Sequence, residues 1–557
     1  MSDRAHIAEL RTHDVTNQPP ALVDYNLFER DTPLREALAR EDVAWGQPAL
    51  QAMGAACGRA ETLTWADLAN RHTPELLTHD RFGHRLDEVV FHPAYHELMR
   101  LGIEHKVPSI AWSGDRPGGH TVHTVLEYLL FQTEAGVCCP LTMTYAAIAA
   151  LRNQPEVAAE WEPRILAASY DPSFRPASEK SGVTIGMAMT EKQGGSDVRT
   201  NTTRAVPLGK GGPGEAYELT GHKWFCSAPM CDAFLTLAYA EGGLSCFLVP
   251  RWRPDGDRNP FLIQRLKDKL GNRSNASSEI EYDGTWAQLI GEEGRGVATI
   301  MDMVQHTRLD TTLAPAAMMR QAVVQATHHS CHRSAFQRRL VQQPLMQNVL
   351  ADLALESEAA TILTVRLARA FDDAGNDDTA GAFARIAVAV GKYWLNKRLP
   401  NLVYEAMECL GGAGYVEDSG MPRLYREAPL NSIWEGSGNV ICLDVLRAIQ
   451  RTPESLEVLL AEIGAARGGN RHLDAAIERL QRLLADPAEV APQARRLTES
   501  LALCLQGSLL VRHAPDVVSE AFCRSRLGDA GGHAYGTLPS DVDHAAIIER
   551  AWAPAAA

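Results

Sequence analysis

A carboxylate set among small residues, an aromatic ring and a hydroxyl on alternate positions of one segment, and a glycine pair after an apolar run are where this chain is equipped for chemistry. The carboxylate is Glu435, in Ile433-Trp434-Glu435-Gly436-Ser437-Gly438-Asn439. Small neighbours leave room for a substrate, and a desolvated glutamate has a raised pKa that makes it a better general base near neutral pH. In an exposed Gly-Ser-Gly turn the same side chain would simply be solvated. The ring and hydroxyl are Phe225 and Ser227, in Lys223-Trp224-Phe225-Cys226-Ser227. If residues 217 to 227 form a strand, both point to one side and address one planar ring, although half-buried strands carry such residues for packing alone. Gly194 and Gly195 allow close backbone approach to a ligand, while Thr190 and Ser196 offer hydroxyls. An ordinary turn uses the same residue types. Proton removal by a carboxylate beside a planar acceptor such as a flavin is the chemistry these segments would share.

Segments so far apart must be brought together by several elements. Residues 1–184 are mostly helical in pattern, broken at Pro74, Pro93, Pro108 and the Arg116-Pro117-Gly118-Gly119 turn. Between 185 and 291 the texture becomes alternating, with strand-like runs at Tyr217 to Leu219, Phe234 to Tyr239, Ser245 to Val249 and Glu279 to Tyr282. From 292 to 450 apolar residues recur at helical spacing, as in Val297, Ile300, Met301 and Val304. Residues 451–557 add helical runs at Leu456 to Ile463, Leu473 to Leu484 and Ala494 to Leu510. The expectation is an α+β fold, mainly α, of helical, β, helical-bundle and additional helical domains.

At 557 residues and 45% hydrophobic the chain is long enough for three or four domains. Its start is polar, with Arg4, His6 and Glu9, and no apolar run approaches membrane-spanning length. Eleven cysteines without a Cys-x-x-Cys pair suggest neither a zinc site nor a disulfide framework, and point to a reducing cytoplasm. A formal charge of −15 argues against polyanion binding by the surface as a whole. Arg265, Lys267, Lys269 and Arg273 form a local basic patch, read as a solvated hairpin face rather than a phosphate site. His328, His329 and His332 have helical spacing for a metal, but no acidic or cysteine pattern completes a set, so no metal is expected.

Met189-Thr190-Glu191 with Gly195-Ser196-Asp197, then Phe225 to Ser227, then Trp434 to Ser437, resembles the acyl-CoA dehydrogenase family over roughly residues 85 to 450. Gly291 to Gly296, Arg333 to Phe336 and Gly411 to Tyr415 support the match, and Met187 to Val198, Gly221 to Phe225, Arg265 to Ser277 and Asn431 to Asn439 look like its alkylation-response, AidB-type branch. The resemblance implies FAD between the β domain and the C-terminal bundle. Met187, Met189, Thr190, Gly195 and Ser196 would line it, Phe225 and Ser227 would face its ring, and Trp434, Gly436, Ser437 and Asn439 would also touch it. Many relatives have Trp and Thr where Phe225 and Ser227 stand. Arg333, Phe336, Gly411 and Gly412 would hold the adenine-diphosphate half across a subunit contact in a homotetramer. Two departures weaken that end: Gln337 replaces a usual Gly, and Glu408 a usual Gln. Glu435 would be the catalytic base, with Arg447 near it. The branch implies duplex DNA binding through residues 451–557 and at most weak, isovaleryl-CoA-like dehydrogenase activity; the alternative is a metabolic dehydrogenase of a short or branched acyl-CoA. The last segment holds eleven arginines, no lysine and fourteen acidic residues, so DNA binding would need those arginines gathered on one face.

Overall fold

The computed structural model describes residues 12–114, 116–485 and 490–552; the polar start at Arg4, His6 and Glu9 lies outside them. The chain divides into two compact units, one of residues 65–119 and 134–310, the other of 1–64, 120–133 and 311–557. The boundary falls inside helix Gly296–His332.

The first unit is built on strands. A hairpin of β1 (Glu75–His79) and β2 (Arg85–Val90) interrupts the helical N-terminal stretch and packs on the sheet system. The sheet comprises β3 (Ile185–Ala188), β4 (Arg204–Pro207), β5 (Ala216–Ser227), β6 (Ala233–Ala240), β7 (Gly243–Pro250), β8 (Phe261–Leu266) and β9 (Ser277–Ile290). Its order is β3-β6-β4-β5-β9-β7, and β7 pairs back onto β6, so five strands close a barrel. Closure removes exposed edges, and alternation along each strand sends one set of side chains inward. Tyr217, Leu219, Phe234, Phe247, Ile263, Tyr282 and Leu289 form that core. The β5–β9 register slips between Lys223 and Cys226, a bulge of the kind that re-aims side chains.

The second unit is a bundle of long helices: the end of Gly296–His332, then Pro344–Asp373, Asp378–Cys409 and Gly438–Arg451. Helices Pro453–Gly464 and Ala494–His513 pack directly on Asp378–Cys409. Buried ion pairs bind the last segment to the bundle. Arg526 engages Asp352 and Glu356, which are 1% and 0% exposed, and Arg398 donates to Glu356 at 2.9 Å. Arg366 and Arg512 share Glu462, and Arg550 joins Glu358 to Glu36. The described helices beyond 451 therefore share the bundle's core.

All eleven cysteines are free, and no helix among the described residues is long and apolar enough to cross a membrane. Two of the three histidines have backbone partners: the His328 ring contacts the Pro20 carbonyl at 2.9 Å and His332 contacts the His328 carbonyl at 2.8 Å. Burial lowers the pKa of His328 and His329.

Candidate functional site

In the strand unit the glycine-rich turn follows β3. Met187, Met189 and Thr190 are half-buried, Gly195 and Ser196 exposed, and Gly194 has φ +129°. A Cβ on Gly195 would lie 2.4 Å from Thr190 Oγ1, so the turn packs there only as glycine. Between them Glu191 is fully buried. Its carboxylate accepts from the Thr202 N–H at 2.6 Å, the Thr203 hydroxyl at 2.6 Å and Lys223 Nζ at 2.9 Å, while Lys223 also donates to the Leu237 carbonyl at 2.8 Å. Burial would raise the Glu191 carboxyl, but the Lys223 ammonium and the Thr203 hydroxyl outweigh it and hold the pKa at about 2. Burial lowers Lys223 to about 8 against the pull of Glu191. The pair ties the turn to β5, helped by the Trp224 N–H donating to the Thr190 carbonyl at 2.7 Å.

On β5 Cys226 faces the barrel interior, while Phe225, 50% exposed, and half-buried Ser227 face out on the same side. The basic patch reaches this place and is only partly the solvated face its composition suggests: Arg265 is 63% exposed, but Lys267 and Lys269 are held. Lys267 Nζ lies 3.3 Å from the Trp224 ring centroid and 4.7 Å from that of Phe225, and pairs with Glu279 at 2.6 Å. Lys269 donates to the Asn275 carbonyl at 2.6 Å and the Ser277 hydroxyl at 2.9 Å, and Ser277 Oγ is 3.4 Å from Ser227 Oγ. An exposed ring, adjacent hydroxyls and an open glycine turn suit a planar, polar-edged cofactor such as a flavin.

In the helical unit Glu435 sits half-buried between a short turn, Leu430–Ser432, and helix Gly438–Arg451. Its φ is +54° and that of Gly436 +99°, two successive left-handed residues. A glutamate there is unusual and costs about 1–2 kcal/mol unless its surroundings hold it. The Trp434 indole N–H donates to Asn431 Oδ1, and Lys397 Nζ to the Ser432 hydroxyl at 2.9 Å. Buried Lys392 donates to the carbonyls of Asn431, Trp434 and Gly436. Ser437 caps the following helix with extended backbone, and Asn439 is exposed in its first turn. Arg447 lies further along that helix, 3.4 Å from Asp444, which Arg385 also holds at 2.9 Å.

Arg333 donates to the Asn17 carbonyl at 2.6 Å and leads into a tiny hairpin, Ser334–Ala335 against Arg338–Arg339. Phe336 and Gln337 are its two turn residues, at φ +51° and +65°, the primed turn that favours glycine and asparagine. Phe336 is 93% exposed. Gly411, at φ +59°, and Gly412 both have open space where a side chain would be, and Glu408 beside them is exposed.

Comparison with known proteins gives the family. The AidB N-terminal domain of the adaptive response protein matches residues 17–172, the acyl-CoA dehydrogenase middle domain 186–285, and the acyl-CoA dehydrogenase C-terminal domain 294–450. The putative acyl-CoA dehydrogenase AidB of Escherichia coli K12 is 45% identical over 94% of this chain and 96% of its own. The chain belongs to the acyl-CoA dehydrogenase family. Acyl-CoA dehydrogenase family member 11 of Caenorhabditis elegans is 32% identical, over 80% of this chain and 77% of its own. The solved structure of Caenorhabditis elegans ACDH-11 in complex with C11-CoA superposes with a TM-score of 0.83 at 28% identity, covering 94% of this chain and 95% of that one. Acyl-CoA dehydrogenases are FAD-dependent, and FAD is the cofactor here. The motif residues that carried the resemblance divide between the two units: Met187, Met189, Thr190, Gly195, Ser196, Phe225 and Ser227 lie in the strand unit, and Trp434 to Asn439, Arg333, Phe336 and the glycine pair in the helical one. Motif reading passed over Lys392, the role of the Glu191–Lys223 pair, and the approach of Lys267 to Phe225. A lysine inside the apolar run Ile386 to Leu395 was the one available signal for the first.

Proposed function

We propose that this protein dehydrogenates an acyl-CoA thioester between its α and β carbons, with Glu435 as the base. The observation that carries the reading is Glu435 itself, half-buried and fixed in a left-handed turn where an unconstrained glutamate would relax. Glu435 takes the α proton, and a held carboxylate needs no reorganisation at that moment. FAD, when bound, supplies the acceptor for the hydride leaving the β carbon. Thr190, Gly195, Ser196, Phe225 and Ser227 would hold its isoalloxazine, and Arg333, Phe336 and Gly411-Gly412 its other end from a neighbouring subunit of a homotetramer. The exposed rings of Phe336 and Tyr415 support such a contact. The complex of the Caenorhabditis elegans protein with C11-CoA makes an eleven-carbon acyl-CoA the first substrate to try, beside branched isovaleryl-CoA. Anaerobic addition should bleach the flavin in the native protein and not in Glu435→Gln; equal bleaching in both would remove Glu435 from the chemistry. The free cysteines fit a cytoplasmic site of action.

A second reading, an alkylation-response flavoprotein that binds duplex DNA, draws on one observation. Arg471, Arg479 and Arg482 are exposed on one face of helix Arg471–Leu484, and Arg467 bonds Gln481 beside them. Against it, Arg512, Arg524, Arg526 and Arg550 are spent on carboxylates. Replacing Arg471, Arg479 and Arg482 by Ala should lower duplex affinity and flatten its salt dependence by about three contacts' worth. Binding to duplex at low salt that is unaltered by the triple change would eliminate this face.

A further inference from the structure

We propose that Lys392 is the positioning residue for Glu435; the proposal rests on the reading of Glu435 as the base. Lys392 lies midway along helix Asp378–Cys409 and is 2% exposed. Its ammonium reaches the carbonyls of Asn431 at 3.0 Å, Trp434 at 2.9 Å and Gly436 at 2.8 Å. An ammonium has three N–H donors, and these three acceptors match them one for one. The acceptors bracket Glu435: two carbonyls precede it, one of them immediately, and the third follows it directly. Charge-assisted bonds of this kind are about twice as strong as neutral ones, and here they act on the peptide units either side of the residue whose φ is +54°. Straightening Glu435 into ordinary backbone would swing the Trp434 and Gly436 carbonyls off the ammonium. The strained conformation and the three bonds therefore persist together.

The clamp is anchored at its other end. Asn396, one turn along, donates to the Lys392 and Thr311 carbonyls, both at 2.8 Å, which fixes the helix backbone from which the lysine projects. Lys397 on the same helix holds Ser432. Position 436 takes only glycine without strain, because its φ is +99° and a Cβ there would lie 2.9 Å from Ile441 Cδ1. The side chain of Glu435 is thus aimed by a residue 43 positions upstream that need not touch the substrate.

The test uses the full-length FAD-loaded protein and an eleven-carbon acyl-CoA under anaerobic conditions. Lys392→Met keeps the length of the stem and removes the cation. It should retain bound FAD, flavin reduction by dithionite and acyl-CoA affinity within about threefold, while flavin bleaching by acyl-CoA slows by about a hundredfold, as misplacement of a catalytic group by an ångström does. Lys392→Gln, which keeps two donors and is easier to accommodate, should fold and lose about tenfold. On a Glu435→Gln background Lys392→Met should cost nothing further, because it acts only through Glu435. Bleaching at the native rate in both lysine variants would overturn the proposal, as would a parallel fall of FAD content, melting temperature and rate, which marks a folding staple. Native bleaching in Glu435→Gln would instead bring down the assignment of the base.

Discussion

Glu191 and Lys223 show how much at the residue scale turns on a single buried pair. The Glu191 carboxyl is held at about 2 in the fold against an ordinary 4.5, so the unfolded chain binds more protons as the pH falls below that ordinary value. Its stabilisation is fully present above about pH 4.5 and is lost as the pH drops toward 2. Glu191→Gln should flatten acid unfolding in that window, followed by circular dichroism, and should weaken retention of FAD, because the pair anchors the Thr190 to Ser196 turn. Gln337 makes the opposite case. It occupies a left-handed position in a two-residue turn, so Gln337→Gly should raise stability by about 1 kcal/mol in a thermal melt. An unchanged or lower melting temperature would mean that the Gln337 side chain repays its strain through a contact. The residues that could be read from the chain alone were those whose chemistry is local: Glu435 among glycines, Phe225 and Ser227 two apart. Lys392 and Glu191 escaped because their meaning lies in partners far along the sequence, 39, 42 and 44 residues away for Lys392 and 32 for Glu191.

Among the elements, the strands were legible. Alternation at Tyr217 to Leu219 and the apolar run Phe234 to Tyr239 mark β5 and β6, since a closed barrel keeps one face of each strand in its interior. The helices of the last segment were equally plain, Leu473 to Leu484 falling inside Arg471–Leu484. Composition misled where a charged segment was bound rather than solvated. Residues after β8 look like a basic surface, yet Lys267 is only 14% exposed and sits against Trp224 and Glu279. The bulge in β5 between Lys223 and Cys226 leaves no signature in residue types, although it sets how Phe225 presents its ring. Lys267→Met should therefore alter the flavin's absorption spectrum or its midpoint potential without loss of fold. An identical spectrum and potential would show that this cation does not reach the cofactor's field.

Across the whole molecule, patterning along the chain suggested four successive domains, and contacts group the described chain into two units that reuse distant stretches of sequence. Helix-forming segments announce themselves locally, whereas which helices share a core is decided by tertiary pairing that periodicity does not encode. Arg526 is the plainest instance, an apparently spare cation of the last segment that reaches back to Asp352 and Glu356. Arg526→Met would take this cation from buried Asp352 and leave Glu356 to Arg398, and should destabilise the protein by about 3–5 kcal/mol in denaturant titration. The same stitching has a consequence for how this protein can be taken apart. Its carboxy-terminal hundred residues are a keystone more than an appendage, and a protease cutting near residue 451 would not release an intact dehydrogenase and a free module. Clipped preparations should lose their yellow colour and aggregate, and any nucleic-acid role assigned by trimming that end would report collapse of the enzyme.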